Sequence, residues 1–196
     1  MIFQLIALGC FAALYGCYLA KMLAQKKQGI QTDHLGEGKQ GFVKFVELGT
    51  KFAAALVLLA GLVSIFLNTA RSPAPVRAAG AVLGILGAAV FIAAVHTMGD
   101  SWRAGVSEHE QTALVTTGIY RFSRNPAFLG FDLLHLGTLL MFFSGPLCAL
   151  TALAILMYHL QIANVEEDHM IISFGEEYLQ YRKTVRRYLG RKRQKA

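Results

Sequence analysis

The segment Gly118-Ile-Tyr-Arg-Phe-Ser-Arg-Asn-Pro-Ala-Phe-Leu-Gly130 sets Arg121, Arg124 and Asn125 directly before Pro126 and an apolar run. A proline is favoured in the first turn of a helix, where its missing N–H would have had no intrahelical acceptor. Pro126 is therefore expected to open a helix whose free first-turn amides, beside two guanidinium groups, suit a carboxylate or another anion. The same arginines would also serve as headgroup anchors. A second polar cluster, Glu166-Glu167-Asp168, follows the next apolar run. Like charges at the end of an apolar helix are costly without partners, and Arg121 and Arg124 are the candidates. The pairing is either a structural network or a site in which one carboxylate takes the hydroxyls or amino group of a ligand while the arginines take its acidic end. Within the run after Pro126, Asp132 and His135 lie three residues apart and share a helix face. Asp132 would orient His135 as a base or hold a cationic headgroup; the alternative is a buried pair that neutralises itself. Tyr158 and His159 are further candidates for the same cavity, and Trp102 with Arg103 reads as an interfacial anchor with a lipid-facing aromatic, the alternative being a place at the lateral substrate entrance.

The elements that must position these groups are membrane helices. In 196 residues, 55% are hydrophobic and 16% charged, well below the roughly one-quarter charged of soluble domains. The apolar runs cover Ile2 to Ala20, Phe52 to Leu67 (extendable back to Phe42), Ala78 to Val95, Phe128 to Phe143 and Leu147 to Ile162. Each approaches the roughly 17 to 25 residues of a spanning helix. The first lacks a basic preceding region and a small-residue cleavage pattern, so it is expected to be retained. The expected fold is all-α: about five transmembrane helices in one domain over 1–196, with its catalytic part at about 96–190.

Five spans put 17 of the 19 Lys and Arg residues on one side, leaving Arg71 and Arg77 opposite. By the positive-inside rule the N-terminus is expected outside and the C-terminus in the cytoplasm. The net charge of +7 thus lies beside the membrane, where it favours anionic lipid and argues against a nucleic-acid partner. Cys10, Cys17 and Cys148 fall in apolar helices and suggest neither a disulfide framework nor a metal site. Ser144-Gly145-Pro146 is a turn that folds the last two spans into a hairpin, so both polar motifs emerge on one face. Gly80, Gly84 and Gly87 would let another helix approach closely, within the chain or in a dimer. Lys44, Glu47 and Lys51 at helical spacing suggest a solvated extension of the second span. Beyond the last span, Glu167, Met170, Ile171, Phe174, Tyr178, Tyr181, Val185 and Tyr188 recur as one face of an amphipathic helix that would roof the bundle, with Gly175 as a break.

Taken together, Leu114-Val115, Gly118, Tyr120, Arg124-Asn125-Pro126, Phe128, Gly130, Glu166-Glu167, Phe174-Gly175-Glu176-Glu177-Tyr178 and Tyr181 resemble the pattern of the isoprenylcysteine carboxyl methyltransferase and phospholipid methyltransferase group of membrane enzymes. The resemblance runs from about Thr112 to Tyr181. It implies an S-adenosylmethionine-dependent methyltransferase acting on a lipophilic acceptor: a prenylcysteine-like carboxylate, a lipid amine or another small lipophile. By carry-over, Leu114, Val115, Tyr120, Asn125, Pro126, Phe128 and Glu166 would line the cofactor pocket. Arg124, Glu167, Asp132 and His135 are the catalytic candidates, and no metal is required. Two positions depart from the group: Ile162 stands where the eukaryotic prenylcysteine enzymes carry an arginine, and Asn125 where the motif also admits histidine. A sterol-reductase-like enzyme using NADPH and a non-catalytic lipid-binding protein are the alternatives. A bacterial or archaeal cytoplasmic membrane is the expected location.

Overall fold

A computed structural model describes residues 1–69, 72–105 and 113–192. Thr112 and Arg71, named above, lie outside them. The described residues form α1 (Ile2–Lys27), α2 (Gly41–Phe66), α3 (Ala74–Met98), α4 (Pro126–Met141), α5 (Gly145–Gln161) and α6 (Glu167–Thr184), and contain no β-strand. The all-α expectation holds, and each apolar run is a helix. α1, α2, α3 and the α5–α6 unit are long and apolar enough to cross a membrane, while α4 is shorter. At 1.5 Å per residue its 16 residues span about 24 Å, so flanking residues must complete that crossing.

Local chemistry sets the boundaries. Pro126 opens α4 in its first turn, and Ser144 caps α5 by accepting the Leu147 N–H at 3.3 Å. The Lys44–Lys51 stretch is helical, since α2 begins at Gly41. Lys44 and Lys51 are exposed there as expected, but Glu47 is fully buried, because its face of α2 packs against the end of α5 and the loop after α1. A π-helical turn, Ile162–Glu166, joins α5 directly to α6. The widened turn shifts the register just before Glu167. Gly175 breaks the following helix with φ 50° and ψ −125°, in the left-handed half of backbone space that favours glycine.

The helices pack as two groups. In the first, α3 and α4 meet through their glycines: a Cβ on Gly87 would stand 2.6 Å from the Leu134 nitrogen, and one on Gly137 only 2.5 Å from the Gly80 oxygen. Packing within the chain thus accounts for Gly80, Gly84 and Gly87. α1 joins this pair through Ala7, Phe11 and Leu14 against Phe91 and Leu134. In the second group, Ala53 and Val57 of α2 meet Leu147, Ala154 and Met157 of α5. The seam between the groups stays partly open and holds the cavity described below.

At one end of the seam the loop after α1 is stitched to the segment after α3. Gln25, fully buried, donates to the Trp102 carbonyl at 3.0 Å. Ala104 N–H donates to the Thr32 carbonyl at 2.8 Å and His34 N–H to the Ala104 carbonyl at 2.9 Å. Trp102 is thereby drawn inside at 4% exposure instead of facing lipid as expected.

The glycine contacts yield a direct test. Gly137→Ala is expected to lower stability by about 2 kcal/mol or more, because backbone cannot move aside as a flexible side chain can. Gly9→Ala, where an added Cβ meets open space, is expected to leave the melting temperature in detergent unchanged or slightly raised.

Candidate active site

Pro126 and the π turn bring the Arg124 region and the Glu166-Glu167 pair to the same end of the bundle. There Glu167, 2% exposed, is the hub of an ion-pair network. Arg187 grips it with both prongs of its fork, Nε to Oε1 and Nη2 to Oε2, each at 2.9 Å. Arg124 Nη2 donates to Oε1 from the other side, and Arg182 Nη2 stands 3.8 Å from Oε2. The Glu167 hydrogen bonds hold the Arg187 guanidinium above its ordinary range. Arg124 also caps the tail by donating to the Arg182 carbonyl at 3.3 Å and the Val185 carbonyl at 3.1 Å. Its Nε remains buried with no hydrogen-bond partner among the described residues.

The expected partners are thus half right. Arg121 and Asp168 are exposed and outside the network, and their place is taken by Arg187 from the tail. The tail does not simply spread over the surface. Arg124 N–H donates to the Arg186 carbonyl at 3.1 Å and Gly190 N–H to the Phe122 carbonyl at 2.7 Å. Asn125 Nδ2 donates to the Arg187 carbonyl at 3.3 Å, and Val185 bridges to Arg191, ending the helical periodicity that the sequence extends to Tyr188. Tyr181 donates its hydroxyl to the Tyr120 carbonyl at 2.6 Å, which locks α6 to the turn before α4. Burial pushes the Tyr120 phenol above its ordinary range, so it stays protonated.

A cavity of about 370 Å³ lies beneath this network, within the range of small-molecule sites. Leu114, Val115, Tyr120, Asn125, Phe128, Glu166, Arg124 and Glu167 all line it. Pro126 is buried behind the wall and does not. The mouth is closed in by Tyr178 and Tyr181 of α6, while Tyr15, Phe91, Phe131 and Tyr158 line it from within the bundle. Trp102, Asp33 and Lys51 join the wall from elements the sequence motifs leave out. Fully buried Gln161 donates to Glu166 Oε1 at 3.2 Å. Close by, Glu47 Oε2 accepts the Gly36 N–H at 2.7 Å, and the Glu47 and Glu166 carboxyl groups interact.

The expected Asp132–His135 couple does not form. Neither residue lines the cavity. His135 lies against Phe131 and edge-on to Phe11, with no partner for either ring nitrogen among the described residues. Asp132 instead interacts electrostatically with Tyr158 and Tyr188. Tyr158 reaches the cavity but His159 does not; its Nδ1 meets the Tyr188 hydroxyl at 2.6 Å.

An all-helical membrane bundle with this polar mouth defines a class of membrane-embedded small-molecule site, and comparison with known proteins fixes its kinship. The family profile for phospholipid methyltransferase matches residues 76–177, from α3 into α6. The chain belongs to that family. It is 35% identical over 111 residues to protein-S-isoprenylcysteine O-methyltransferase of Rattus norvegicus, covering 55% of this chain and 39% of that protein. The enzyme of the same name from Saccharomyces cerevisiae is 32% identical over 108 residues, 54% of this chain and 45% of that protein. The Arabidopsis thaliana protein-S-isoprenylcysteine O-methyltransferase A is 30% identical over 108 residues, 54% and 55% of the two chains. The matches thus span about half or less of each of these relatives.

Removing the hub should unlock the tail. Glu167→Gln leaves Arg124 and Arg187 facing each other without their anion, and breaking a buried pair in this way costs about 3 kcal/mol. The expected outcome is a lower melting temperature and new tryptic cleavage at Arg186 and Arg187, which the wild type resists.

Proposed function

We propose that the chain is a membrane methyltransferase that binds S-adenosylmethionine at the mouth of the cavity and methylates a lipophilic acceptor reaching it from the bilayer. The observation that carries this reading is the composition of that mouth. Arg124, the residues Asn125, Ala127 and Phe128 at the start of α4 and the carboxylate of Glu166 stand around one space. Those groups fit a zwitterionic nucleoside. Arg124 and the first turn of α4 suit its carboxylate, and Glu166 suits its hydroxyls or ammonium. Leu114, Val115, Tyr120 and Phe128 offer apolar and aromatic surface for the base. When bound, the sulfonium supplies an activated methyl group for in-line displacement.

The chain's part is then positioning and exclusion of water. Glu167 keeps Arg124 oriented, Gln161 steadies Glu166, and Tyr178 and Tyr181 close the mouth. Holding two reactants in line at about 3 to 3.5 Å can supply several kcal/mol of a barrier, so no covalent enzyme intermediate is needed. Family membership and the names of the relatives favour methyl transfer over nicotinamide-dependent reduction. Because Asp132 and His135 stand off the cavity, we assign them no proton transfer at the reacting centre.

The acceptor enters sideways. Ala55 of α2 lines the cavity and is exposed, and across the seam the wall is Tyr15 and Tyr18 of α1. A small residue at that gap leaves a lateral opening to the lipid. With the membrane oriented by its basic segments, the mouth faces the cytoplasm and the N-terminus the outside.

Calorimetric titration of the detergent-purified protein with S-adenosylhomocysteine tests the reading. Saturable binding is expected in the wild type, weakened about tenfold or more in Glu166→Ala through the lost charged hydrogen bonds, with no heat from NADPH. Absence of binding in folded wild-type protein overturns the proposal.

A further inference from the structure

Glu47 of α2 is fully buried, lies outside the residues 76–177 that match the family and does not line the cavity. Its Oε2 accepts the Gly36 N–H at 2.7 Å, while its Oε1 is shielded from solvent with no hydrogen-bond partner among the described residues. The carboxyl group meets the side chain of Gln161. Gln161 of α5 is fully buried too, and its Nε2 donates to Glu166 Oε1 at 3.2 Å. Its own Oε1 is a second buried acceptor without a donor among the described residues. Lys39 and Asp33 of the loop after α1 act on Glu47 with opposite signs, and neither gives Oε1 a hydrogen bond. Buried polar groups are hydrogen-bonded as a rule. Two carboxyl groups and one amide therefore meet between α2, α5 and the π turn with two acceptors left over, and the cluster is short of one proton.

We propose that Glu47 holds a proton at neutral pH and donates it in a hydrogen bond to Gln161 Oε1, which makes Glu47 a positioning residue for Glu166 at the cavity. The inference rests on the methyltransferase reading and deepens it. A carboxylic acid is a donor at one oxygen and an acceptor at the other, so Glu47 accepts from Gly36 and donates to Gln161 at once. A glutamine whose oxygen is engaged in this way has its NH2 group turned to Glu166, the direction in which it donates. Glu166 lines the cavity with one oxygen so committed, and the carboxylate offered to a ligand keeps a single orientation. Without the proton, two anions would face each other across a buried amide, and a buried charge without full pairing is strongly destabilising. The chain of bonds thus runs from the loop after α1 through α2 and α5 to the cavity wall.

Full-length protein in detergent would be titrated calorimetrically with S-adenosylhomocysteine as wild type, Glu47→Gln and Glu47→Leu. The amide of Glu47→Gln puts an N–H in place of the O–H and keeps an oxygen for Gly36. Its affinity is expected within about twofold of wild type, whereas Glu47→Leu, of similar volume but without a donor, is expected to bind about tenfold more weakly, the scale of one lost hydrogen bond. Infrared difference spectroscopy reads the proton itself. Wild type minus Glu47→Gln at neutral pH is expected to show the C=O stretch of a protonated carboxyl, a band that shifts in heavy water and that an ionised Glu47 would not give. Absence of that band overturns the proposal. So does unchanged affinity in Glu47→Leu, or affinity in Glu47→Gln lowered about tenfold. Where Glu47→Leu does not fold, the band and the Glu47→Gln affinity decide. Failure of folded wild type to bind S-adenosylhomocysteine overturns the methyltransferase reading instead, and the band still decides whether Glu47 holds the proton.

Discussion

A single buried carboxylate organises the working end of this molecule. Glu167 lies at 2% exposure, a position that a charge occupies only when several donors replace its water. Those donors come from separate stretches of chain: Arg124 from the turn before α4, Arg182 from α6 and Arg187 from the tail. The network therefore fixes topology as well as charge. It holds the amphipathic helix across the mouth, ties the tail to the Ser123–Asn125 turn and sets the direction of the Arg124 side chain. Because Arg124 commits Nη2 to Glu167 and Nη1 to the tail carbonyls, its guanidinium is held in a defined place. A guanidinium free to move would offer a ligand no such preorganised donor, and ordering it would subtract from binding.

The other constraint is steric and comes from glycine. Lipid tails are as apolar as leucine, so helices in a bilayer gain little from hiding apolar surface from each other and associate where their backbones can come close. α3 and α4 achieve this through Gly80, Gly84, Gly87, Gly130 and Gly137. The resulting rigid pair carries α1, while α2 and α5 form a second unit. α1 and α2 touch little across the seam, and their facing residues include Ala54 and Ala55, too small to fill it. The cavity is thus a consequence of where the small residues are placed: on both sides of α3–α4 they close a gap, and on one side of α2 they leave it open.

Much of this was legible in the sequence, and the limits follow from how each feature is encoded. Apolar runs gave the helices, Pro126 and Ser144-Gly145-Pro146 their starts, and Gly175 the break in α6. The cofactor-pocket candidates except Pro126 reach one cavity because they are spaced along helix ends that a hairpin must bring together. The tail was not legible, since it is held largely by backbone amides and carbonyls, which any sequence possesses. The stitching of Thr32 and His34 to Ala104 is illegible for the same reason, and with it the burial of Trp102. Glu47 read as solvated because helical spacing shows which residues share a face but not what that face meets. Asp132 and His135 show the finer limit. Three residues advance an α-helix by about 300°, so the two side chains diverge by about 60°. That angle sends one toward Tyr158 and Tyr188 and the other to Phe11 and Phe131.

The cavity also changes character along its length, and this bears on how two dissimilar molecules would share it. Near the mouth the wall carries Arg124, Glu166, Glu167, Asn125 and Tyr120; farther in it is Phe91, Phe131, Tyr15 and Tyr158. A polar nucleoside and a lipid chain each have one end of this gradient where their desolvation is compensated, and each would be penalised at the other end. Orientation is thereby imposed before any specific contact is made. The proposed reading would bring the reactive ends of both together where the two kinds of wall join, about the level of Phe128 and Tyr158, whose rings lie 5.6 Å apart. Those residues belong to α4 and α5, the hairpin whose far ends carry Arg124 and Glu166. The same short turn at Ser144 that folds the hairpin therefore sets the distance between the groups suited to a donor and the place where an acceptor would wait.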